Sequence, residues 1–533
     1  MQILFFGGPI ITMEEEKDHP EAVLIEDGKI KKVGSLKQLE LAANKHVVRR
    51  DLKGKCLMPA FIDAHGHITM NGQMSVCADV SECGSFEEIA DNVSHYIKEH
   101  NIGPQNAVLG FGYDHNFLKE KQHPDKAVLD KISNVIPIML LHVSGHLACV
   151  NSVALEMAGI TENTANPSGG VIGRIEGTNI PNGYLEEAGM TMVQQIMAKR
   201  IKINPIKVMN DMQQIYIENG ITTVQDGAAT EQSIKMLKIL AGLHRLKVDV
   251  VVYPLMNENV RDIFVKNKKR DNCYKNHLKL GGYKIILDGS PQGRSAWMSE
   301  PYLGGETDYC GYPWMKDEET EKYVQQAIED GKQILAHCNG DAASEQFLNA
   351  YEKGVKTCRP AKDLRPVMIH CQTVRNDQLD RMAKLHMIAS VFVGHVFYWG
   401  DIHIKNLGEA RGNHISPVKD ALQRNITVNF HQDTPVTKPK MLHSVWCAVN
   451  RISREGNSIG KEQKVSVYEA LKAVTINGAY EYFEEQSKGS IKEGKRADLV
   501  ILDQSPLITD VMKIKDIQVM ETIKDGKTIY KRR

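Results

Sequence analysis

The segment Phe61–His67 reads Phe-Ile-Asp-Ala-His-Gly-His, and it places two histidines where an apolar strand would end. Side chains at positions i and i+2 of a strand point to the same side, about 7 Å apart along the strand. One metal ion fits between two imidazoles spaced in this way, and the small Gly66 leaves room for it. A histidine pair on the surface or satisfied in a core has the same spacing, so the motif needs support from the rest of the chain.

The chain around this segment alternates apolar, strand-like runs with amphipathic runs of helical period, which include 320–329, 377–385 and 465–479. The candidate strands are 57–62, 107–111, 136–142, 222–225, 248–253, 282–287, 333–336, 366–369, 388–393 and 426–430. Alternation of strands and helices predicts parallel βα units, and about eight units fit in this length. We therefore predict an α/β fold with a (β/α)8 TIM barrel over residues 57–479.

One long segment interrupts the alternation of strands and helices. Residues 145–204 are rich in Gly, Asn and Pro and are too long for an ordinary loop. We predict an insertion there, which would act as a lid or as a specificity element.

Both ends of the chain carry short strands separated by turn signals. Asp27-Gly28 lies between apolar runs near the start, and Asp525-Gly526 lies between apolar runs near the end. An Asp-Gly pair in this setting is a strong hairpin signal, but an isolated hairpin is marginally stable in water. We predict that 1–56 and 480–533 pair into one small discontinuous β-sandwich domain.

The composition limits the classes of partner. Lys plus Arg and Asp plus Glu number 66 each, so neither a nucleic-acid-binding surface nor an acidic tail is indicated. The sequence has no apolar run of membrane-spanning length, and its start reads as a strand and not as a signal peptide. Its 10 cysteines lack regular spacing, which is typical of free thiols in a reducing cytosol. We expect a cytoplasmic protein that binds neither nucleic acid nor membranes.

Metal-binding residue types stand at the ends of several candidate strands, where the active site of such a barrel lies. There are four histidines, one lysine within an apolar strand and one aspartate: His65, His67, His337, His370, Lys284 and Asp433. Singly, each has an ordinary structural explanation, such as a hydrogen bond to a carbonyl or a helix cap. Together they predict a divalent metal site, and zinc, manganese and iron all suit imidazoles with a carboxylate.

Two of these residues have a predicted chemical task. Burial lowers the pKa of a lysine, so a neutral Lys284 amine can add carbon dioxide and form a carbamate that bridges two metal ions. Lys284 therefore decides between one and two ions, and its alternative is to extend to the barrel rim. Asp433 is the predicted general acid/base, because it can hold a metal-bound water and take its proton.

The sequence resembles the amidohydrolase superfamily over nearly its whole length, in particular the YtcJ-like branch, amidohydrolase family 3, which includes N-substituted formamide deformylase. The segments that carry the resemblance are 58–67, 222–227, 288–296, 337–343, 370–372 and 489–503. The resemblance implies a metal-dependent barrel with the terminal β-sandwich, and hydrolysis of a non-peptide carbon–nitrogen bond by a metal-bound hydroxide. It also implies one or two ions, with zinc expected, held by the six residues named above. The implied substrate is a small amide, N-acyl or N-formyl compound, and the implied assembly is a homodimer.

Other residues are predicted to shape the substrate site. His146 is similar to a family position near the substrate and would hydrogen-bond the developing oxyanion, or else it organises its loop. Asp114 and His395 follow strands, and Arg294 lies in a glycine-rich loop, where it would hold an anionic group or secure the loop. His431 departs from the family, whose last-strand motif reads small-Ser-Asp, so it faces the pocket or fills space in the strand.

Two other functions fit parts of this pattern. A cyclic amidine or ring deaminase would use the same barrel with one metal ion. A non-catalytic regulatory or ligand-binding relative would be expected to lack metal ligands, yet every ligand type is present here. Fold and metal do not specify the substrate.

Overall fold

Two units make up the chain in the computed structural model, which describes residues 1–533 except 75, 144, 146, 168–169, 202–204 and 305–307. Unit 1 comprises Met1–Thr69 and Gln213–Arg533, and unit 2 comprises Met70–Met212. Both units combine strands with helices, in agreement with the predicted α/β class. The predicted insertion 145–204 and the strands predicted over 107–111 and 136–142 all lie within unit 2.

The two chain ends form two four-stranded sheets in unit 1. One sheet has the strand order Lys29–Gly34, Ala22–Glu26, Gln2–Phe6 and Val48–Asp51. The other has the order Lys527–Lys531, Val519–Lys524, Leu499–Leu502 and Cys56–Pro59. One apolar cluster draws buried side chains from both sheets, among them Phe5, Val23, Leu57, Leu499 and Ile523. Residues from both termini therefore share one core.

Both predicted hairpins are present, and their turns show why the Asp-Gly pairs are informative. Asp27 and Gly28 have φ angles of 47° and 81°, and Asp525 and Gly526 have φ angles of 48° and 73°. Positive φ at both central residues gives the two-residue turn that matches the twist of antiparallel strands, and Asp followed by Gly tolerates this conformation. The turn chemistry thus sets the strand register at both ends of the chain.

The rest of unit 1 is built on two parallel sheets. The first has the order Leu278–Leu280, Asp249–Pro254, Ile221–Ala229 and Phe61–Ile62. The second has the order Gly282–Ile286, Gln333–Cys338, Val367–His370, Ile388–Val391 and Val428–Phe430. A bridge between Leu255 and Lys284 joins the two sheets, and the Met256 N–H donates to the Lys284 carbonyl. Within each sheet the carboxyl ends of the strands lie at one edge.

The parallel strands are apolar and buried, as expected for strands covered on both faces; Val250, Val251 and Val252 are examples. The helices of unit 1 are Leu36–Ala42, Glu231–Gly242, Val260–Lys266, Asp317–Glu329, Asp341–Cys358, Asn376–Lys384, His395–Asn413, Val418–Gln423, Met441–Asn450, Val467–Ala473 and Ile476–Glu481. Helices Ile68–Met74 and Pro205–Glu218 cross the sequence boundaries of the units. The run predicted as one helix over 465–479 forms two, because Thr475, with φ −134° and ψ −96°, is not helical.

Unit 2 contains a mixed sheet with the order Gly170–Arg174, Pro181–Glu187, Leu147–Val150, Ile138–His142, Val108–Tyr113 and Ala78–Asp79. The last three strands pair in parallel, and the other pairs are antiparallel. The helices of this unit are Phe86–Glu99, Lys126–Asp130, Ser152–Met157 and Ala188–Ala198. Two buried apolar clusters, one around Met139 and Leu185 and one around Val108 and Leu140, form its core.

The cysteines are free thiols at all ten positions. Cys338 and Cys371 directly follow two candidate metal-binding histidines and are buried. Burial raises the pKa of the Cys371 thiol to about 12, so it stays protonated and packs as a small apolar residue. Among the described residues, no helix combines the length and the apolar character that crossing a membrane requires.

Candidate metal centre

His65 and His67 follow the first parallel strand, and each has one ring nitrogen tied to the neighbouring strand. His65 Nδ1–H donates to Gln225 Oε1 at 2.6 Å, and His67 Nδ1–H donates to the Gly227 carbonyl at 2.7 Å. Burial and Lys284 hold the pKa of His65 well below its usual range, so its Nε2 carries a lone pair. Burial lowers the pKa of His67, but the hydrogen bond and the charge of Asp433 outweigh burial and raise it. Both Nε2 atoms face Asp433 Oδ1, at 3.4 Å and 3.3 Å. The histidine pair thus presents two metal-ligating atoms on the same side.

Lys284 lies inside strand Gly282–Ile286, with its Nζ atom 3.5 Å from His65 Nε2. The residue is 1% exposed. Burial lowers the pKa of its amine to about 8, although the charge of Asp433 opposes this shift. Part of the amine is therefore neutral near physiological pH, and the neutral amine is the form that reacts with carbon dioxide.

His337 and His370 lie on two adjacent strands and face each other. His370 Nε2 lies 2.9 Å from His337 Nδ1, and the ring centroids are 4.3 Å apart. Burial lowers the pKa of His337 to about 4 and holds the pKa of His370 well below its usual range, so both imidazoles are neutral at pH 7. His370 also packs edge to face against His65, with ring centroids 5.6 Å apart. The second pair of imidazoles is therefore next to the first.

Asp433 completes the group from the segment after the last parallel strand. Burial raises its pKa, but the hydrogen bond with His67 and the nearby His370 and His65 outweigh burial and hold the pKa well below its usual range. Asp433 is therefore a carboxylate at neutral pH. Its φ angle of 53°, like the 72° of His370, lies in the left-handed region, which is strained for residues other than glycine. Strain of this kind concentrates at functional sites.

The donor set fits a divalent transition-metal ion. His65 Nε2, His67 Nε2 and Asp433 Oδ1 lie within 4.8 Å of one another. A tetrahedral ion with bonds of about 2.05 Å separates its ligand atoms by about 3.3 Å. The observed separations of 3.4 Å and 3.3 Å between the two nitrogens and the Asp433 oxygen match this value. Imidazoles with one carboxylate suit zinc and its neighbours in the first transition row.

A buried polar network supports the histidines and was missed by the sequence analysis. Gln225 Nε2 donates to the Ala64 carbonyl at 2.7 Å and lies 3.4 Å from Glu481 Oε1. Asn429 Nδ2 donates to Glu481 Oε2 at 2.6 Å. This network orients Gln225, which in turn orients His65. Gln225 had one sequence signal, its place in a segment that carries the family resemblance, whereas Glu481 had none.

Asp288 is a second residue that the sequence analysis missed, and it fixes the segments around His337. Its carboxylate accepts hydrogen bonds from the backbone N–H groups of Asn339, Gly340 and Trp297, at 3.0, 2.7 and 3.0 Å. His337 Nε2 lies 3.6 Å from Asp288 Oδ1. Burial raises the pKa of Asp288 to about 7 in spite of these hydrogen bonds. Two signals were available: its position after a candidate strand, and its place in the segment 288–296, which carries the family resemblance.

The two remaining histidines of unit 1 that were predicted to bind substrate have different surroundings. The ring centroid of His431 lies 5.1 Å from that of His65 and 5.2 Å from that of His370. Burial lowers the pKa of His431 to about 3, so it is neutral. His395 Nδ1 lies 3.0 Å from His403 Nε2, and both rings are buried. His431 therefore lies against the metal-centre histidines, whereas His395 is paired with His403 and interacts electrostatically with Asp433 and His431.

No described contact joins the other predicted substrate-binding residues to the residues of the metal centre. Arg294 Nε donates to Asn406 Oδ1 at 3.0 Å, and its Nη1 donates to the Gly304 carbonyl at 3.2 Å. These bonds secure its own loop. Asp114 lies in unit 2 among other histidines. His146 lies outside the described residues, so its predicted catalytic role stays a prediction.

Comparison with known proteins gives full-length matches. A family model described as Amidohydrolase family matches residues 50–530. The putative amidohydrolase YtcJ of Bacillus subtilis is 27% identical over 555 residues, which cover 100% of this chain and 100% of that protein. The N-substituted formamide deformylase of Arthrobacter pascens is 25% identical, over 99% of this chain and 98% of that protein.

A solved structure has a similar fold over nearly the whole chain. It is the crystal structure of an uncharacterized metal-dependent hydrolase from Pyrococcus horikoshii OT3, with a TM-score of 0.75 and 23% sequence identity. The similarity covers 96% of this chain and 99% of that chain. At this level of identity the similarity shows the fold.

Proposed function

The chain belongs to the amidohydrolase family, and from this premise we propose that it is a metal-dependent hydrolase of a carbon–nitrogen bond in a small amide, N-acyl or N-formyl compound. The observation that carries the proposal is the convergence of His65 Nε2 and His67 Nε2 on Asp433, with Lys284 beside them. The names of the two relatives, a putative amidohydrolase and a formamide deformylase, support the class of bond.

The proposed metal ligands are the six residues predicted from the sequence: His65, His67, Lys284, His337, His370 and Asp433. A divalent ion held there, with zinc expected, would lower the pKa of a bound water and polarise the substrate carbonyl. Asp433 is the proposed general base, which takes a proton from the attacking water at its carboxylate. It then acts as the general acid and gives this proton to the leaving nitrogen.

The proposed number of ions depends on Lys284. Its buried amine, with a pKa of about 8, is available to form a carbamate with carbon dioxide. A carbamate at Lys284 would hold ions together with His65, His67, His337 and His370. We propose the carbamate with two ions, whereas an unmodified Lys284 leaves one.

The proposed architecture extends the described sheets. The parallel strands of unit 1 would close into a (β/α)8 barrel, because the His67 N–H after the first strand donates to the Thr434 carbonyl after the last at 2.8 Å. The barrel domain would cover 57–479, with the insertion extended from 145–204 to the whole of unit 2. The two terminal sheets, built from 1–56 and 480–533 together with the rest of strand Cys56–Pro59, would form the β-sandwich. A homodimer and a cytoplasmic location remain predictions.

The experiment is a hydrolysis screen of the zinc-loaded full-length protein against N-formyl amines, N-acyl amines, N-acyl amino acids and cyclic amides. We expect turnover of at least one class, and its loss in chelated protein. Asp433→Asn should keep the fold and the metal but lower kcat by about 10²–10⁴-fold, because general acid–base catalysis contributes that much. The matched control is Asp401→Asn, at an exposed site that accepts from Asn457, and it should retain kcat.

Each other outcome points to a different conclusion. An unchanged kcat in Asp433→Asn would remove that residue from the proposed role. Ammonia release from a cyclic amidine, with one ion per chain and unmodified Lys284, would favour the ring deaminase. Failure to hydrolyse any substrate despite a full metal content would favour a non-catalytic relative.

A further inference from the structure

Unit 2 brings a second set of metal-ligating side chains to the end of two parallel strands. Strands Val108–Tyr113 and Ile138–His142 are neighbours in its sheet and pair in parallel. Asp114 and His115 follow the first strand directly, and the second strand ends with a histidine. The topology therefore places one carboxylate and two imidazoles at the same sheet edge.

The ligand atoms of these three residues converge. His115 Nδ1 lies 3.2 Å from His142 Nε2, and Asp114 Oδ1 lies 3.8 Å and 3.7 Å from these two nitrogens. A tetrahedral zinc ion, with bonds of about 2.0–2.1 Å, separates its ligand atoms by about 3.3 Å. The Asp114 carboxylate hydrogen-bonds His142, and His142 hydrogen-bonds His115, so the three ligand atoms lie close enough to share an ion, within 4.8 Å of one another.

Aromatic side chains pack around the two histidines. The His123 ring stacks on that of His115, with ring centroids 4.1 Å apart. The Tyr113 ring packs edge to face against that of His142, with ring centroids 5.2 Å apart. These contacts restrict the orientation of both imidazoles.

Neighbouring groups hold the ligands in place. The backbone N–H and the side-chain amide of Asn116 both donate to Asp114 Oδ1 at 2.9 Å. These two bonds fix the orientation of the Asp114 carboxylate. The Tyr113 hydroxyl oxygen lies 3.1 Å from His123 Nδ1, which fixes the ring that stacks on His115.

We propose that Asp114, His115 and His142 form a second metal site, which binds a divalent transition-metal ion such as zinc. The His115 side chain is 30% exposed, whereas those of Asp114 and His142 are 10% and 8% exposed, so the ion enters from the His115 side. The site lies wholly within unit 2 and shares no ligand with the metal centre of unit 1. In this proposal Asp114 is a metal ligand, whereas the sequence analysis predicted that it binds substrate.

The experiment counts the zinc bound by the full-length protein after equilibration with zinc and a competing chelator and removal of free metal. His115→Ala, His142→Phe and Asp114→Asn should each bind about one zinc per chain less than the wild type, because each removes one of three ligands. Since the result is a difference, it does not depend on the number of ions in unit 1 or on the proposed hydrolysis. The matched control is His95→Ala, at a position of helix Phe86–Glu99 where the side chain is 80% exposed, and it should retain the zinc count.

Chelator competition gives a second readout, in which the zinc affinity of this site should fall by more than about 100-fold in each ligand variant. His115→Ala keeps the test decisive if His142→Phe fails to fold, because the His115 side chain is partly exposed. A zinc count that none of the three substitutions lowers would overturn the proposal. An equal loss of zinc in His95→Ala would overturn it as well.

Discussion

At the scale of the residue, the tautomer of each histidine decides which of its ring nitrogens is available to a metal ion. Oxygens of Gln225 and Gly227 accept from Nδ1 of His65 and His67, which leaves both Nε2 atoms for an ion. A hydrogen bond at the other ring nitrogen fixes the orientation of a ligand histidine and raises its basicity. Gln225 is therefore a positioning residue, which acts on the metal through His65.

Substitution of Gln225 tests this positioning role. Gln225→Met keeps the length of the side chain but removes the acceptor of the His65 Nδ1–H bond, so the ring loses its fixed tautomer and orientation. We expect the zinc affinity of the metal centre to fall by about 10–100-fold. Competition with a chromogenic zinc chelator measures the affinity, and a thermal melt of the same sample checks the fold.

The control for this substitution is Gln214→Met, on a helix where Gln214 pairs with Glu218 at an exposed position. It should leave the zinc affinity unchanged. A wild-type affinity in Gln225→Met would show that the hydrogen bond to His65 does not position the ligand.

At this scale, the metal-binding residues could be predicted from the sequence, but the residues that orient them through hydrogen bonds could not. Histidine, lysine and aspartate at the ends of apolar runs are local features, so His65, Lys284 and Asp433 could be named from the sequence. Gln225 lies 160 positions from His65, and its contact with the ring exists only after the strands pair. For the same reason, the sequence alone could not decide whether His431 faces the pocket or fills space in the strand. The distances from its ring to those of His65 and His370 were needed.

At the scale of the element, helix Ile476–Glu481 connects two parallel strands through one carboxyl group. Glu481 Oε1 lies 3.4 Å from Gln225 Nε2 on strand Ile221–Ala229. Its Oε2 accepts from Asn429 of strand Val428–Phe430 at 2.6 Å. Because the residue is fully buried, its charged form is disfavoured, and its pKa is raised to about 8.

This shifted pKa predicts a pH dependence of stability. The folded protein keeps a proton on Glu481 up to about pH 8, whereas an unfolded chain releases it near the ordinary value of 4.5. The raised pKa contributes to the free energy of unfolding. This contribution is present in full at pH values below the pKa of the unfolded chain, and it is lost as the pH rises to the pKa of the folded protein. The free energy of unfolding should therefore fall by up to about 1.4 kcal/mol per pH unit between these values. Glu481→Gln should remove this dependence on pH. The substitution can also change the free energy of unfolding by an amount that is the same at every pH, and this does not affect the test.

Urea unfolding of the chelated protein at a series of pH values measures the slope. Glu493→Gln, at an exposed position, is the control and should keep the wild-type slope. A slope in Glu481→Gln equal to that of the wild type would contradict the account of the buried carboxyl.

Local patterns predicted most elements of unit 1, since apolar runs and Asp-Gly turns act over a few residues. The last predicted helix was too long because the geometry of Thr475 depends on its packing and not on helical periodicity. The strands Val108–Tyr113 and Ile138–His142 were recognised as strands, but their sheet depends on partners up to Pro181–Glu187. Periodicity carries no information about such long-range pairing.

At the scale of the whole molecule, unit 1 ties the chain ends to its parallel sheets. Strand Cys56–Pro59 pairs with Leu499–Leu502. Lys524 and Lys488 both donate to Asp249 Oδ2, at 2.7 Å and 2.6 Å, and all three residues are buried. A buried carboxylate between two ammonium groups links the last sheet to a parallel strand, and removal of one partner would leave an uncompensated charge.

The meeting of the chain ends could be predicted because a lone hairpin needs a partner sheet. The extent of unit 2 could not. Its limits, Met70 and Met212, follow from contacts between distant residues, whereas the predicted insertion 145–204 followed from composition alone.

The most direct test of the metal centre is an anomalous difference map from crystals of the zinc-loaded full-length protein, recorded at the zinc absorption edge. The account predicts a peak about 2.0–2.2 Å from His65 Nε2, His67 Nε2 and a carboxylate oxygen of Asp433. A fully loaded crystal with no anomalous peak among these three side chains would contradict it.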